Sequence, residues 1–161
     1  MSAIVVRSGI NRTISVYLTA VKAGDVAGSV DVTSSTDFLG HVKSIQLPQP
    51  ETEEIDVTDY DSPEGSREFE QGSVDFGTAN TVRNLNSDEF EDAFDLAAAG
   101  THKWLTFIVK DKSGTAVMKY QVEVFVKYPQ TNNTDINGVL EVTTEYRCSG
   151  AMKKFSGAVS W

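Results

Sequence analysis

"AVMKYQVEVFVKY", residues 116–128, alternates apolar and polar side chains along nearly its whole length. Met118, Tyr120, Val122, Val124, Val126 and Tyr128 fall on one side, and Lys119, Gln121, Glu123 and Lys127 on the other, with Phe125 breaking the pattern. A period of two predicts a β-strand with one face packed and one face in water. "GVLEVTTEYRCSG" (138–150) repeats it. Leu140, Val142, Tyr146 and Cys148 oppose Glu141, Thr143, Glu145 and Arg147. "TISVYLTAV" (13–21) sets Ile14, Val16 and Leu18 against Thr13, Ser15 and Thr19. "KWLTFIVK" (103–110) is apolar on both sides, which predicts a central strand covered above and below. "DKSG" (111–114) follows as a hairpin turn, with Gly114 where a positive φ is tolerated. "FLGHVKSIQLP" (38–48), "EEIDVTDYD" (53–61) and "EQGSVDFGTANTV" (70–82) complete a set of about seven or eight strands. The chain is therefore expected to be mainly β, a sandwich or barrel.

One segment changes period. In "NSDEFEDAFDLAAAG" (86–100), Phe90, Ala93, Phe94, Ala97 and Ala98 recur at helical spacing. Asn86 or Ser87 can cap its start, Asp88 and Glu89 suit the positive end of the helix dipole, and Gly100 supplies a left-handed stop. A single helix over about residues 87–99 is expected to dock by that stripe on an open end or flank of the sheet. Three irregular stretches remain. "VKAGDVAGSVDVTSSTD" (21–37) reads as a loop or weak hairpin, and "YPQTNNTDING" (128–138) as a long turn region. "LPQPETEE" (47–54) is stiff at Pro48 and Pro50, then strongly acidic.

The bulk properties narrow the function. At 161 residues the chain is expected to be one domain, residues 1–161, large enough for a real core. Its 23 acids and 14 bases give a formal charge of -9, which opposes tight binding to phosphate backbones. Cys148 stands alone and cannot form an internal disulfide, which suits a reducing compartment. No stretch approaches the roughly 18 apolar residues of a membrane span, and no membrane partner is expected.

Catalysis finds little footing. The histidines are His41 and His102, without a nucleophile motif beside either, and Cys148 lies on the apolar side of its strand. Trp104 sits in the most apolar strand and Trp161 ends the chain, so neither reads as a platform for sugar. No cofactor, metal or catalytic residue is expected.

The remaining puzzle is "IDVTDYDSPEGSREFEQG", residues 55–72. A calcium loop of the EF-hand kind would need a ligand at its fifth position and Gly at its sixth. From Asp59 those positions hold Pro63 and Glu64, so the pattern fails. The wider stretch "GHVKSIQLPQPETEEIDVTDYDSPEGSREFEQGSVDFG" (40–77) instead resembles the major tail tube proteins of long, non-contractile phage tails. The matching positions are Ile55, Asp56, Thr58, Asp61, Ser62, Gly65, Arg67, Glu68, Phe69 and Gly72. The acidic helix, the strand "KWLTFIVKD" with its turn, and the ending "YRCSGAMKKFS" agree more loosely. The resemblance implies a β-sandwich-like tail tube fold with one flanking helix and related folds in secretion tubes. Six copies would form a ring whose inner sheets join into a barrel, and rings would stack into a virion tail assembled in the host cytoplasm. DNA would pass through without specific binding, and tape measure, tail terminator and tail tip proteins would be partners.

Two sets of residues follow as expectations. Residues 47–70 should form a long extended loop reaching a neighbouring subunit, stiffened by Pro48, Pro50 and Pro63. Asp56, Asp59 and Asp61 would pair across that contact, with Arg67 and Phe69 as its anchors. Glu123, Glu141 and Glu145 are candidates for the channel lining, mixed there with Lys119, Lys127 and Arg147. The competing reading is a monomeric β-sandwich module that binds carbohydrate or a receptor. It would need an exposed aromatic platform and would stay single at high concentration.

Overall fold

A computed structural model describes residues 13–33, 39, 42–111, 113–132, 138 and 140–160. His41 and Trp161 lie outside the described residues. The strands are β1 (Thr13–Ala20), β2 (Val32–Thr33), β3 (Val42–Gln46), β4 (Glu51–Asp56), β5 (Phe69–Asp75), β6 (Thr78–Asn84), β7 (His102–Lys110), β8 (Ala116–Val126), β9 (Gln130–Thr131), β10 (Glu141–Cys148), β11 (Lys153–Lys154) and β12 (Val159–Ser160). The helix α1 (Ser87–Ala99) lies between β6 and β7. The protein is mainly β, as its period of two requires.

The main sheet runs β1-β7-β8-β10-β6-β3, antiparallel throughout, with β9 added beside β10 and β11 beside β8. Its two end strands are tied together. The Leu39 amide, just ahead of β3, donates to the Val16 carbonyl of β1 at 3.0 Å. That link curls the sheet toward a barrel, and its concave face encloses the core. Val16, Leu105, Phe107, Val122, Val124, Val126 and Tyr146 pack there, all buried.

β7 fulfils its sequence: Trp104–Val109 are buried without a break, because β1 and β8 flank the strand and both sheet faces are covered over it. The second cover is small. β2 and β12 pair in parallel and close Tyr17, Val32, Ile108 and Phe155 into a separate cluster. Residues 21–33 are therefore not the free loop their composition suggests. They are held by Gln121, which is fully buried although it falls on the polar side of β8. Its Oε1 accepts from the Gly28 and Val30 amides at 2.9 and 3.2 Å. Its Nε2 donates to the Val30 carbonyl at 3.0 Å and to Thr106 Oγ1 at 2.7 Å.

β10 alternates half-buried and buried residues from end to end, as read from its sequence. Cys148 is on the buried side, and burial pushes its thiol up to about 11, which keeps it protonated and unreactive. α1 starts at Asn86, whose Oδ1 accepts from the Asp88 and Glu89 amides, and stops at Gly100 in the left-handed region. Its contact with the sheet is lighter than the stripe implied. Phe90, Ala93, Leu96 and Ala97 are half-buried, Phe94 and Ala98 are exposed, and Arg83 of β6 pairs with Glu89 at 3.6 Å. The helix lies on a flank, where Leu96 packs against the main core and Phe90 and Ala93 line a cleft with Val142 and Thr144.

The chain leaves the main sheet between β3 and β6 to build β4 and β5, which pair only with each other. The root of this excursion is tightly fitted. Pro48 is buried, and Gly77 has φ +77, where an added Cβ would stand only 2.9 Å from the Gln49 carbonyl oxygen. Gly77→Ala combines a left-handed backbone with a collision against backbone. It is expected to lower stability by about 2 kcal/mol, measurable by urea denaturation.

Candidate functional site

Residues 51–75 form an arm rather than an open loop. β4 and β5 make a hairpin with a bulge between Thr52 and Glu54, where Gly72 lies against Glu53. Every residue of β4 is exposed, and in β5 only Gly72 is half-buried. At about 3.3 Å per residue, the strands and tip project roughly 30 Å from the root. A two-stranded hairpin with nothing beneath it is marginal in water. This one also leaves Ile55, Val57, Phe69 and Val74 exposed.

The tip explains why its sequence is so specific. Asp56 Oδ1 accepts from the Thr58 amide at 3.0 Å, and Asp59 Oδ1 accepts from the Asp61 amide at 2.9 Å. The Glu68 amide donates to Thr58 Oγ1 at 2.8 Å, and the Val57 amide to the Glu68 carbonyl at 2.9 Å. Ser62 Oγ donates to Glu68 Oε2 at 2.9 Å. Pro63 opens a single 3-10 turn, Pro63–Gly65, in which Glu64 takes φ 53. Asp56, Asp59 and Ser62 are thus turn-formers, satisfying amides that no strand partner reaches.

Arg67 already has a partner in its own chain. It pairs with Asp56 of its own chain at 3.0 Å and stands over the Phe69 ring at 5.9 Å, with three quarters of its side chain exposed. Pro48 is buried at the root of the arm, while Pro50 is exposed. Asp61 points no charge at any basic group among the described residues. Sequence reading did not single out Tyr60, which is fully exposed at the apex between two aspartates. Its signal was an aromatic inside a turn of acids.

Asp56 is held below the ordinary aspartate value, first by its hydrogen bonds with Thr58 and then by Arg67. A carboxylate with a depressed folded value stabilises the tip above the unfolded value, and that contribution is lost as pH falls through the folded one. The Asp56 carboxyl is expected to titrate in NMR below about 3.9, with the Thr58 amide shift moving in step. An Asp56 midpoint at or above that value would mean that the turn is not formed in solution.

The second surface is the convex face of β10, β6 and the end of β8. Glu141, Thr143, Glu145 and Arg147 project there, beside Glu123 and Phe125. Each of the three glutamates has a partner: Glu141 with Lys43 at 2.6 Å, Glu145 with Lys127 at 3.5 Å, and Glu123 with His102 at 2.9 Å. Arg147 holds Asp75 at 2.8 Å, where β5 returns to the sheet. Two of the three glutamates are thus paired with lysines, and Glu123 is in contact with a histidine.

The negative charge lies on the arm. Between Glu51 and Asp75 the chain carries ten of its 23 acids and one of its 14 bases, leaving thirteen of each elsewhere. The formal charge of -9 thus belongs to this one projection.

His102 and Glu123 have a third neighbour, Ser149, whose Oγ lies 3.4 Å from the histidine. Both contacts fall on Nδ1. A hydrolytic triad needs the acid on one ring nitrogen and the nucleophile on the other, so these residues do not form one. Among the described residues no three acids, histidines or cysteines gather to hold a metal ion. Nor is any helix among them long and apolar enough to cross a membrane.

No protein-family model and no curated protein matches the chain. Solved structures do. A chain of the six-fold symmetrised anti-feeding prophage baseplate aligns over 96% of this chain and 98% of its own, at TM-score 0.62 and 13% identity. A chain from the tail of an empty gene transfer agent particle aligns over 85% and 100%, at 0.57 and 18%. The SPP1 tail tube aligns over 92% and 79%, at 0.55 and 11%. The fold is that of tail tube proteins. These neighbours come from a baseplate, a tail and a tail tube, so the likeness carries the fold and not the type of tail.

Proposed function

We propose that this protein is the structural subunit of a phage-type tail tube, assembling into six-membered rings that stack around a channel for DNA. One observation carries the reading: an exposed hairpin, -9 in charge and studded with apolar side chains, on a subunit whose fold matches tube chains. Such an arm gains little from its own chain and much from a second copy. Neighbouring copies would cover Ile55, Tyr60, Phe69 and Val74, which become the contact residues alongside Pro50, Asp59, Asp61 and Pro63. Arg67 and Asp56 act within the arm, fixing the shape of the tip.

The convex face bearing Glu123, Glu141 and Glu145 would line the channel. DNA carries one charge per about 1.7 Å of axis, so a lining with free cations would hold the genome at every ring. Lys43 and Lys127 are each committed to a carboxylate, and Arg147 to Asp75. A lining whose Lys43, Lys127 and Arg147 are each held by a carboxylate gives passing phosphates little to bind. The subunit would work beside tape measure, terminator and tip proteins in a tail built in the host cytoplasm and would need no cofactor or catalytic group.

Negative-stain microscopy of the concentrated protein, paired with sedimentation velocity, tests this. Rings or tubes are expected. A single slow species over the whole concentration range, with no particle larger than one chain, would leave the monomeric binding module as the better reading.

A further inference from the structure

The arm's charge calls for a basic counterpart, and the chain has one. Lys119, Lys153 and Lys154 are close in register where β11 meets β8, Lys119 and Lys153 on the Gln121 side and Lys154 on the Tyr120 side, and none of the three has an ion-pair partner among the described residues. Lys153 and Lys154 are exposed, and Lys119 is half-buried. Lys119 and Lys154 border a groove of about 370 Å³ with Ala116, Val117, Met118 and Tyr120. Val117 is 49% exposed there.

The backbone is incomplete at the same place. β8 has β7 on one side over Ala116–Met118, but β11 reaches only Tyr120 and Gln121 on the other. The first three residues of β8 are thus a short open edge among the described residues, beside three uncommitted lysines. An open edge of this kind recruits another strand.

On the arm, Glu51, Glu54, Glu64 and Glu70 make no ion pair among the described residues, Ile55 lies between Glu54 and Asp56, and Val74 lies beside Asp75. From these matched features we infer that the arm of one copy lies along the open β8 edge at 116–118 of another. Its acids face Lys119, Lys153 and Lys154, and its apolar side chains enter the groove beside Val117. The occupant is a second copy of this chain, so the inference rests on the tube-subunit reading and adds the receiving surface. It also makes the contact sensitive to salt, because exposed charges are largely screened at about 1 M.

Carbodiimide coupling, which joins a carboxylate to an amine in contact, tests the placement on an equal mixture of 14N and 15N full-length chains. Expected are mixed-isotope cross-links from Glu51, Glu53 or Glu54 to Lys119, Lys153 or Lys154. Mixed links from the arm to other lysines would overturn the receiving surface and leave the tube reading standing. No mixed link from the arm, in a sample that shows no assembly, would overturn both.

A second measurement uses the triple variant Lys119→Glu, Lys153→Glu and Lys154→Glu. The critical concentration for assembly is expected to rise about tenfold or more, with an unchanged melting temperature. Glu51→Lys, Glu53→Lys and Glu54→Lys in a mixed partner should recover part of it. A triple variant that folds and assembles like the parent would overturn the inference.

Discussion

Joining Thr52 to Val74 through an Asn-Gly turn, which removes residues 53–73, is expected to abolish assembly and leave the subunit folded. Thr52 and Val74 face each other in the register of β4 and β5, so a two-residue turn closes the shortened hairpin without strain. The removed residues contain no buried side chain and contribute nothing to either hydrophobic cluster. The melting temperature should therefore stay within a few degrees of the parent. The critical concentration for tubes should rise at least about a hundredfold, since the aromatic and apolar anchors leave together. Static light scattering against concentration measures this directly. If the shortened chain assembles like the parent, the arm is not the contact; if it unfolds, the arm is part of the domain after all.

Gln121→Leu is expected to have the largest effect on the isolated subunit. Leucine fills nearly the same volume but makes none of the four hydrogen bonds. The amides of Gly28 and Val30 and the Val30 carbonyl would lose their partner under cover of the β2–β12 pair. Orphaned buried groups cost about 1–3 kcal/mol each, not fully additively, so a loss of about 3–5 kcal/mol is expected. For a chain of this size that lowers the melting temperature by roughly 10 °C. Hydrogen exchange should accelerate first at residues 28–32, because the small cover detaches before the main sheet opens. A loss under about 1 kcal/mol would mean that water satisfies those groups and the cover is not held by this residue.

Gln121 also marks where sequence reading stops. Alternation in β8 separates its two sides correctly, since it reports which side chains share a face. It cannot report what covers that face, and the cover here comes from residues 28–33 and 155–159, far away in the chain. The helix was legible to its ends because caps are local: Asn86 and Gly100 act on amides and carbonyls within one turn. β7 was legible because burial on both sides leaves an unbroken apolar run.

The arm was half legible. Its prolines, acids and turn residues mark a projecting segment, yet the same aspartates suit three roles: metal ligands, contacts to a neighbour, or turn-formers. The geometry of Thr58, Asp61 and Glu68 shows the turn-forming role for Asp56 and Asp59, which the sequence does not single out. Arg67 is similar, for its partner Asp56 is eleven residues away across a hairpin whose register the sequence does not display. The pairing on the convex face was hidden for the same reason: Lys43 and Glu141 meet only once β3 and β10 have both paired with β6.

Hydrogen exchange across residues 51–75 of the intact chain, followed as concentration is raised, bears most closely on the idea that the arm is completed by another copy. Dilute protein should exchange these amides rapidly, and protection should appear together with the first large species. Rapid exchange that persists in assembled particles, or protection already complete in the single chain, would contradict it.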